Sequence, residues 1–287
     1  MTTLRTFRGL TFGGSSDYRI MSEQGLDDLR VRSGARNLPR LHGAVPGEAF
    51  AHPREIILEA QWRADTPALA ETLTRAFESA TGPSSGLHQY VATEKDGSQR
   101  MVRARVLTRS LPRTRGTQAL GIVTAVLVLE APDPRIYAPP LTGLVVPEFD
   151  LGGEGYDFPG DFPENANAPT QAVGTAVNTG NADAYPLIRF DAGNQVTQVT
   201  LTNLTNGAVL DIQTTIASGQ ILLADMDALI RATGDPIVHI AGSSRFADWQ
   251  TPRDPFSLAP GTNFLKFEHD GSAGDVICRV DWRHTSL

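Results

Sequence analysis

Apolar and polar residues alternate along most of the first half of this chain. The runs LRTFRGLTF (4–12), EIILEAQW (55–62), LHQYVA (87–92) and MVRARVLTRSL (101–111) carry the period of two that marks a strand with one buried face. ALGIVTAVLVLEA (119–131) is longer, β-branched and apolar enough to lie between neighbouring strands. One segment breaks this rhythm. In DTPALAETLTRAFESATG, Asp65 or Thr66 can cap, Pro67 suits a first turn, and Leu69, Leu73, Ala76, Phe77 and Ala80 recur at helical spacing before Gly82. The pattern predicts a helix over 66–81 laid across a sheet, an α+β arrangement in a mainly β chain.

The second half reads as strands and turns. AYPLIRFDA, VTQVTLTNLT, AVLDIQTTI, QILLADM, ALIRAT, PIVHIAG, NFLKFEH and VICRVDWRH are punctuated by Asn206-Gly207, Ser218-Gly219, Gly234-Asp235, Gly261-Thr262 and Asp270-Gly271. Many short strands at this spacing predict a β-sandwich. The stretch NTGNADAYPLIRF (178–190) shows how one of them starts. A polar, turn-forming lead precedes Pro186, which cannot donate to a ladder and so belongs at a strand beginning or an edge.

Between the halves lies a change of composition. From 132 to 171 Pro, Gly, Asp and Glu dominate, as in VPEFDLGGEGYDFPGDFPENANAPTQ, and no periodicity survives. The reading is a first domain over 1–140, a Pro/Gly/acidic connector over 141–171 and a second domain over 172–287.

Charge follows the same division. Up to residue 145 there are 18 basic and 14 acidic residues, net +4; from 146 onward 7 basic face 18 acidic, net −11. An acidic second half excludes nucleic-acid binding there, because phosphate neutralisation needs clustered Lys and Arg. Arg100, Arg103, Arg105, Arg109, Arg113 and Arg115 alternate along strands, which suits a solvated sheet face. The single cysteine, Cys278, excludes an internal disulfide and a Cys-based zinc site. No apolar run reaches the ~18 residues of a membrane span, and the start lacks a secretory core, so synthesis in a cytoplasm without membrane insertion is expected.

Motifs that could carry chemistry are weak. GPSSG (82–86) matches the nucleophile elbow of serine hydrolases, but the helix precedes Ser84 where the elbow needs it to follow. GGEGYDFPG (152–160) lacks the Lys-Ser/Thr ending of a phosphate loop and is crowded with acids. Asp225 and Asp227 have calcium-loop spacing, but Leu223 and Leu229 stand beside them where oxygen ligands or polarity are needed. The histidines at 42, 52, 88, 239, 269 and 284 sit singly, and Asn203-Leu204-Thr205 is a formal glycosylation acceptor. No catalytic, cofactor-binding or metal site is expected, and no enzyme.

From about residue 172 the chain resembles the C-terminal domain of the siphophage distal tail protein family. The resemblance rests on Gly174, Ala176, Gly180, Asn181, Ala184, Pro186, Ile188 and Phe190. It continues through Thr202, Asn203 and Gly207; Gly219, Gln220 and Asp225; Leu258, Pro260, Gly261 and Asn263; and Val280, Trp282 and Arg283. The opening LTFGGSSDYRIMSEQGLDDLRVR, with the glycine-punctuated loop of Arg40 to Gly43 and Gly47, is similar to the start of these proteins. The resemblance implies a tail-tube-like β-sandwich plus α-helix in the first domain and a galectin-like, jelly-roll β-sandwich in the second. It further implies a structural virion protein: a homo-hexameric ring at the distal end of a long non-contractile tail. Its implied partners are the tail tube protein, tip, hub and fibre proteins, and the tape measure protein in the lumen. The competing reading is a carbohydrate-binding sandwich for host surface polysaccharide. Exposed aromatic platforms serve such sites, and Trp249 is the residue proposed for one, while Trp282 lies in an alternating strand and is expected in the core.

Overall fold

A computed structural model of the chain describes residues 3–37, 42, 44–45, 47–112, 121–139, 141–148, 173–227, 237–250 and 253–287. The predicted strands Ala228 to Thr233, the pair Gly234-Asp235, Arg113 and Arg115, and the loop GGEGYDFPG lie outside the described residues. The chain divides into two compact units, Met1–Pro139 with Leu287, and Pro140–Ser286.

In the first unit, β1 (Leu4–Phe7) and β2 (Leu10–Gly13) form a hairpin whose turn places Arg8 and Gly9 at φ 47° and 83°. β3 (Arg19–Gln24) is followed by two short ribbons, β4 (Val31–Ser33) with β7 (Ala49–Ala51), and β5 (Arg36–Asn37) with β6 (Ala44–Val45). Then come β8 (Arg54–Arg63), α1 (Pro67–Ala80), β9 (His88–Thr93), β10 (Gln99–Ser110), β11 (Ile122–Ala131) and β12 (Ile136–Tyr137). The main strands run β2-β1-β9-β10-β11-β8-β3. β10 is the corner: Gln99–Ala104 pairs with β9, and Arg105–Ser110 pairs with β11. Its two halves fold the sheet over a core of Phe7, Phe12, Trp62, Phe77 and Tyr90.

α1 closes that core as its sequence directs. The Thr66 side chain accepts from Leu69 N at 3.2 Å, so Thr66 and not Asp65 is the cap. Phe77 lies edge-on to Phe12 and packs at 5.3 Å from Trp62, and the Tyr18 hydroxyl donates to Leu73 O at 2.8 Å. Leu69, which the helical spacing assigns to the buried face, is 47% exposed because the helix meets the sheets only from its second turn.

In the second unit β13 (Thr142–Val146), β14 (Gly174–Asn178), β15 (Leu187–Ala192), β16 (Val196–Asn203), β17 (Val209–Ile216), β18 (Ile221–Asp225), β19 (Val238–Ile240), β20 (Ser243–Ser244), β21 (Gly261–His269) and β22 (Val276–Trp282) build two sheets. One is six-stranded, β13-β22-β15-β18-β19-β20; the other is four-stranded, β14-β21-β16-β17. Alternate residues of both face one core, with Ile188, Leu222 and Val280 meeting Leu201, Ile212 and Leu265. Phe190 of one sheet stacks on Phe267 of the other at 5.6 Å. One expectation is corrected here. Thr142–Val146 is not connector but an edge strand paired to β22, because Leu144 and Val146 alternate onto the core. Residues 149–171 lie outside the described residues.

Candidate functional site

Two residues that carry the sequence resemblance, Asn203 and Asn263, join Asn178 in holding the loops of the second sandwich. Asn178, Asn203 and Asn263 are fully buried. Asn178 Nδ2 donates to Ala182 O at 2.8 Å and Leu258 O at 3.2 Å, while its Oδ1 accepts from Gly180 N and Thr285 N. Asn203 Nδ2 donates to Ser257 O and to Asn263 Oδ1, each at 2.9 Å. Asn263 Nδ2 reaches Ala259 O and Gly261 O. These amides satisfy carbonyls of the loops and strand ends around them. Asn203 is thereby enclosed, so the glycosylation acceptor is not presented at the surface.

The glycines of the same set answer to close approach or to backbone sign. A side chain on Gly180 would meet Thr285 O at 1.8 Å, and one on Gly174 would crowd Val146 and Leu144. Gly207, Gly219 and Gly261 sit at φ 76°, 77° and 92°, where side chains are strained. Trp282 is buried, its indole Nε1 donating to Val177 O at 3.2 Å.

Trp249 departs from its expectation. It is fully buried, held by an antiparallel bridge to Ile212, by Gln250 N donating to Asp211 O at 2.9 Å, and by an edge contact with Phe246 at 5.8 Å. A short 3-10 turn at Phe246–Asp248 swings the ring inward onto the outer edge of β17. It offers no exposed stacking face, and the aromatic that the described part of this unit does expose is Phe264. Nothing in the sequence around Trp249 has a strand period, which is why its burial was not legible there.

The chemical motifs resolve into structure as well. Ser84 Oγ lies 3.0 Å from His88 Nε2, a serine-histidine contact at the C-terminal end of α1. A helix C-terminus is the wrong pole for an oxyanion, and the His88 ring packs edge-on to Phe7. Among the described residues no group of three His, Cys, Asp or Glu side chains is placed to hold a metal ion. Burial pushes the Cys278 thiol well up from its ordinary value, which makes it unreactive.

The arginines of β10 are largely engaged within the unit. Arg100 pairs with Glu94 at 2.7 Å and with Asp27, Arg105 pairs with Glu130 at 2.7 Å, Arg109 Nη1 donates to Glu78 O at 2.8 Å, and Arg103 stacks on Tyr137. The unit instead exposes apolar side chains at irregular points. The register of β3 on β8 shifts at Met21, and that of β10 on β11 shifts at Leu107. These bulge residues are 57% and 56% exposed. Leu29, just before the ribbon of β4 and β7, and Val31 and Phe50 on it are exposed too, with the Arg32 guanidinium 5.5 Å over the Phe50 ring. Such side chains at sheet edges suit contact with another molecule.

The whole chain overlays a solved protein. The crystal structure of SPP1 Dit (gp 19.1), described as a paradigm of the hub adsorption apparatus in phages infecting Gram-positive hosts, matches at a TM-score of 0.67, covering 100% of each chain at 14% identity. The chain has the fold of a phage distal tail protein. A chain of the phage P2 baseplate in its activated conformation with Ca matches at 0.56, covering 98% of each chain at 10% identity. A chain of the phage p2 baseplate in that conformation with Sr matches at 0.55, covering 98% of this chain and 97% of that one, also at 10% identity. No family model and no curated protein matches the sequence. The fold is thus shared with SPP1 Dit at 14% sequence identity.

Proposed function

We propose that this chain belongs to the siphophage distal tail proteins and is a structural component of the virion, at the distal end of a long non-contractile tail. Six copies close into a ring through the first unit, and the ring connects the tail tube protein to tip, hub and fibre proteins. The tape measure protein passes its lumen. The observation that carries this reading is a fold shared over the full length of both chains with SPP1 Dit. The ordered residues Gly174 to Arg283 support it, because they hold positions that this sandwich needs. The role is structural and not enzymatic.

Oriented assembly draws on side chains that the first unit leaves exposed, Met21, Leu107 and the ribbon, more than on a free basic stripe. Mass photometry of the purified protein, with negative-stain imaging of the dominant species, tests the proposal. A six-fold ring with a central opening is the expected result. A monomer that stays monomeric at high concentration and in the presence of tail tube protein overturns it.

A further inference from the structure

Arg54 is the first residue of β8, which lies between β11 and β3 in the sheet. It is 3% exposed, a charge at a position where alternation calls for an apolar side chain. A buried guanidinium is costly unless its donors are met. Here Nη1 and Nε are met by main chain on both sides. Nη1 donates to Leu26 O at 2.8 Å and Asp28 O at 2.9 Å, on the chain that leaves β3 for the exposed ribbon. Nε donates to Pro134 O at 2.9 Å, on the chain that leaves β11 for the end of the unit. One planar fork thus holds the two departing segments that flank its own strand.

Each segment is tied further. Asp27 pairs with Arg100, which shares Glu94 with Arg5, and Arg5 is forked onto Glu23 at 2.6 to 2.9 Å. On the other side Asp133 accepts from Arg135 Nε and Nη2 at 2.8 Å and from the Tyr137 hydroxyl.

We propose that Arg54 couples the root of the ribbon to the segment by which the chain leaves the first unit, so that the two open and close as one element. Displacing the ribbon then displaces residues 132–137. Engagement of Leu29, Val31 and Phe50 by a neighbouring subunit is the natural trigger, and that use alone rests on the assembly reading above. A lysine could not substitute, because a single ammonium cannot span carbonyls on both sides.

Native-state hydrogen exchange on the full chain tests the coupling. His52 N donates to Arg30 O at 2.8 Å and reports the ribbon root; Arg135 N donates to Asp133 Oδ1 at 3.1 Å and reports the exit. Leu58 and Leu127, partners across β8 and β11, report the sheet. In the wild type under sub-denaturing urea, His52 and Arg135 should follow one opening isotherm, below that of Leu58 and Leu127. In Arg54→Met both reporters should exchange about tenfold faster or more with the sheet reporters unchanged, and Arg54→Lys should behave the same way. Separate isotherms in the wild type, or acceleration of His52 alone in Arg54→Met, overturn the proposal. If Arg54→Met also loses protection at Leu58 and Leu127, the wild-type isotherms decide.

Discussion

Asn203 and Asn263, separated by 60 residues in sequence, share a hydrogen bond of 2.9 Å in the interior of the second unit, with Asn203 Nδ2 donating to Asn263 Oδ1. Through it the turn after β16 and the turn before β21 are fixed to each other and to the Ser257 and Ala259 carbonyls. Asn203→Ala should cost about 2–3 kcal/mol, since the loop carbonyls lose donors without gaining water. Urea unfolding followed by tryptophan emission checks this, and an unchanged midpoint would show that the pair is dispensable.

Gly180 and Gly86 make a matched pair. A Cβ on Gly180 would lie 1.8 Å from Thr285 O, whereas one on Gly86 meets nothing within 4 Å. Gly180→Ala is expected to destabilise by about 2–3 kcal/mol through forced backbone displacement. Gly86→Ala should stay within about 0.5 kcal/mol of wild type in the same unfolding experiment.

Trp249 distinguishes a core residue from a platform. Its indole Nε1 has no hydrogen-bond partner among the described residues, so Trp249→Phe should cost about 1 kcal/mol, while Trp249→Ala should cost about 3–5 kcal/mol by opening a cavity. Thermal unfolding of the two variants side by side gives the ordering. Equal, negligible effects would contradict the burial.

Met21→Ser and Leu107→Ser test the exposed bulges. Each side chain is more than half exposed, so folding stability should change by less than about 0.5 kcal/mol. Ring formation by mass photometry should fall in the double variant. Retention of full ring occupancy would remove these residues from the subunit contact.

Asp133 gives a pH dependence. Burial acts to raise its pKa, but the hydrogen bond and charge of Arg135 and the bond from Tyr137 outweigh it and hold the carboxyl below its ordinary value. A depressed folded pKa contributes stability that is fully present above the ordinary carboxylate value of about 3.9 and is lost as pH falls through the depressed one. Wild type should therefore exceed Asp133→Asn in thermal stability at pH 6, and the gap should close in strong acid. A gap that is constant with pH would exclude this carboxylate as its source.

The sequence by itself determined the long alternating strands such as β8, β10, β11, β16 and β22, the helix and its stop, and turn glycines such as Gly207 and Gly219. Each of these is set within a few residues by side-chain period, capping oxygen or backbone sign, as at Thr66, Pro186 and Gly207. Tertiary structure decided what those local rules leave free. It took Thr142–Val146 out of an apparent connector, because an edge strand needs a partner such as β22 that lies far along the chain. It turned Trp249 inward, because the 3-10 turn that aims the ring has no periodic signature. It also made Arg54 a clamp, since the carbonyls that repay a buried guanidinium belong to segments up to 80 residues away that the sheet brings together.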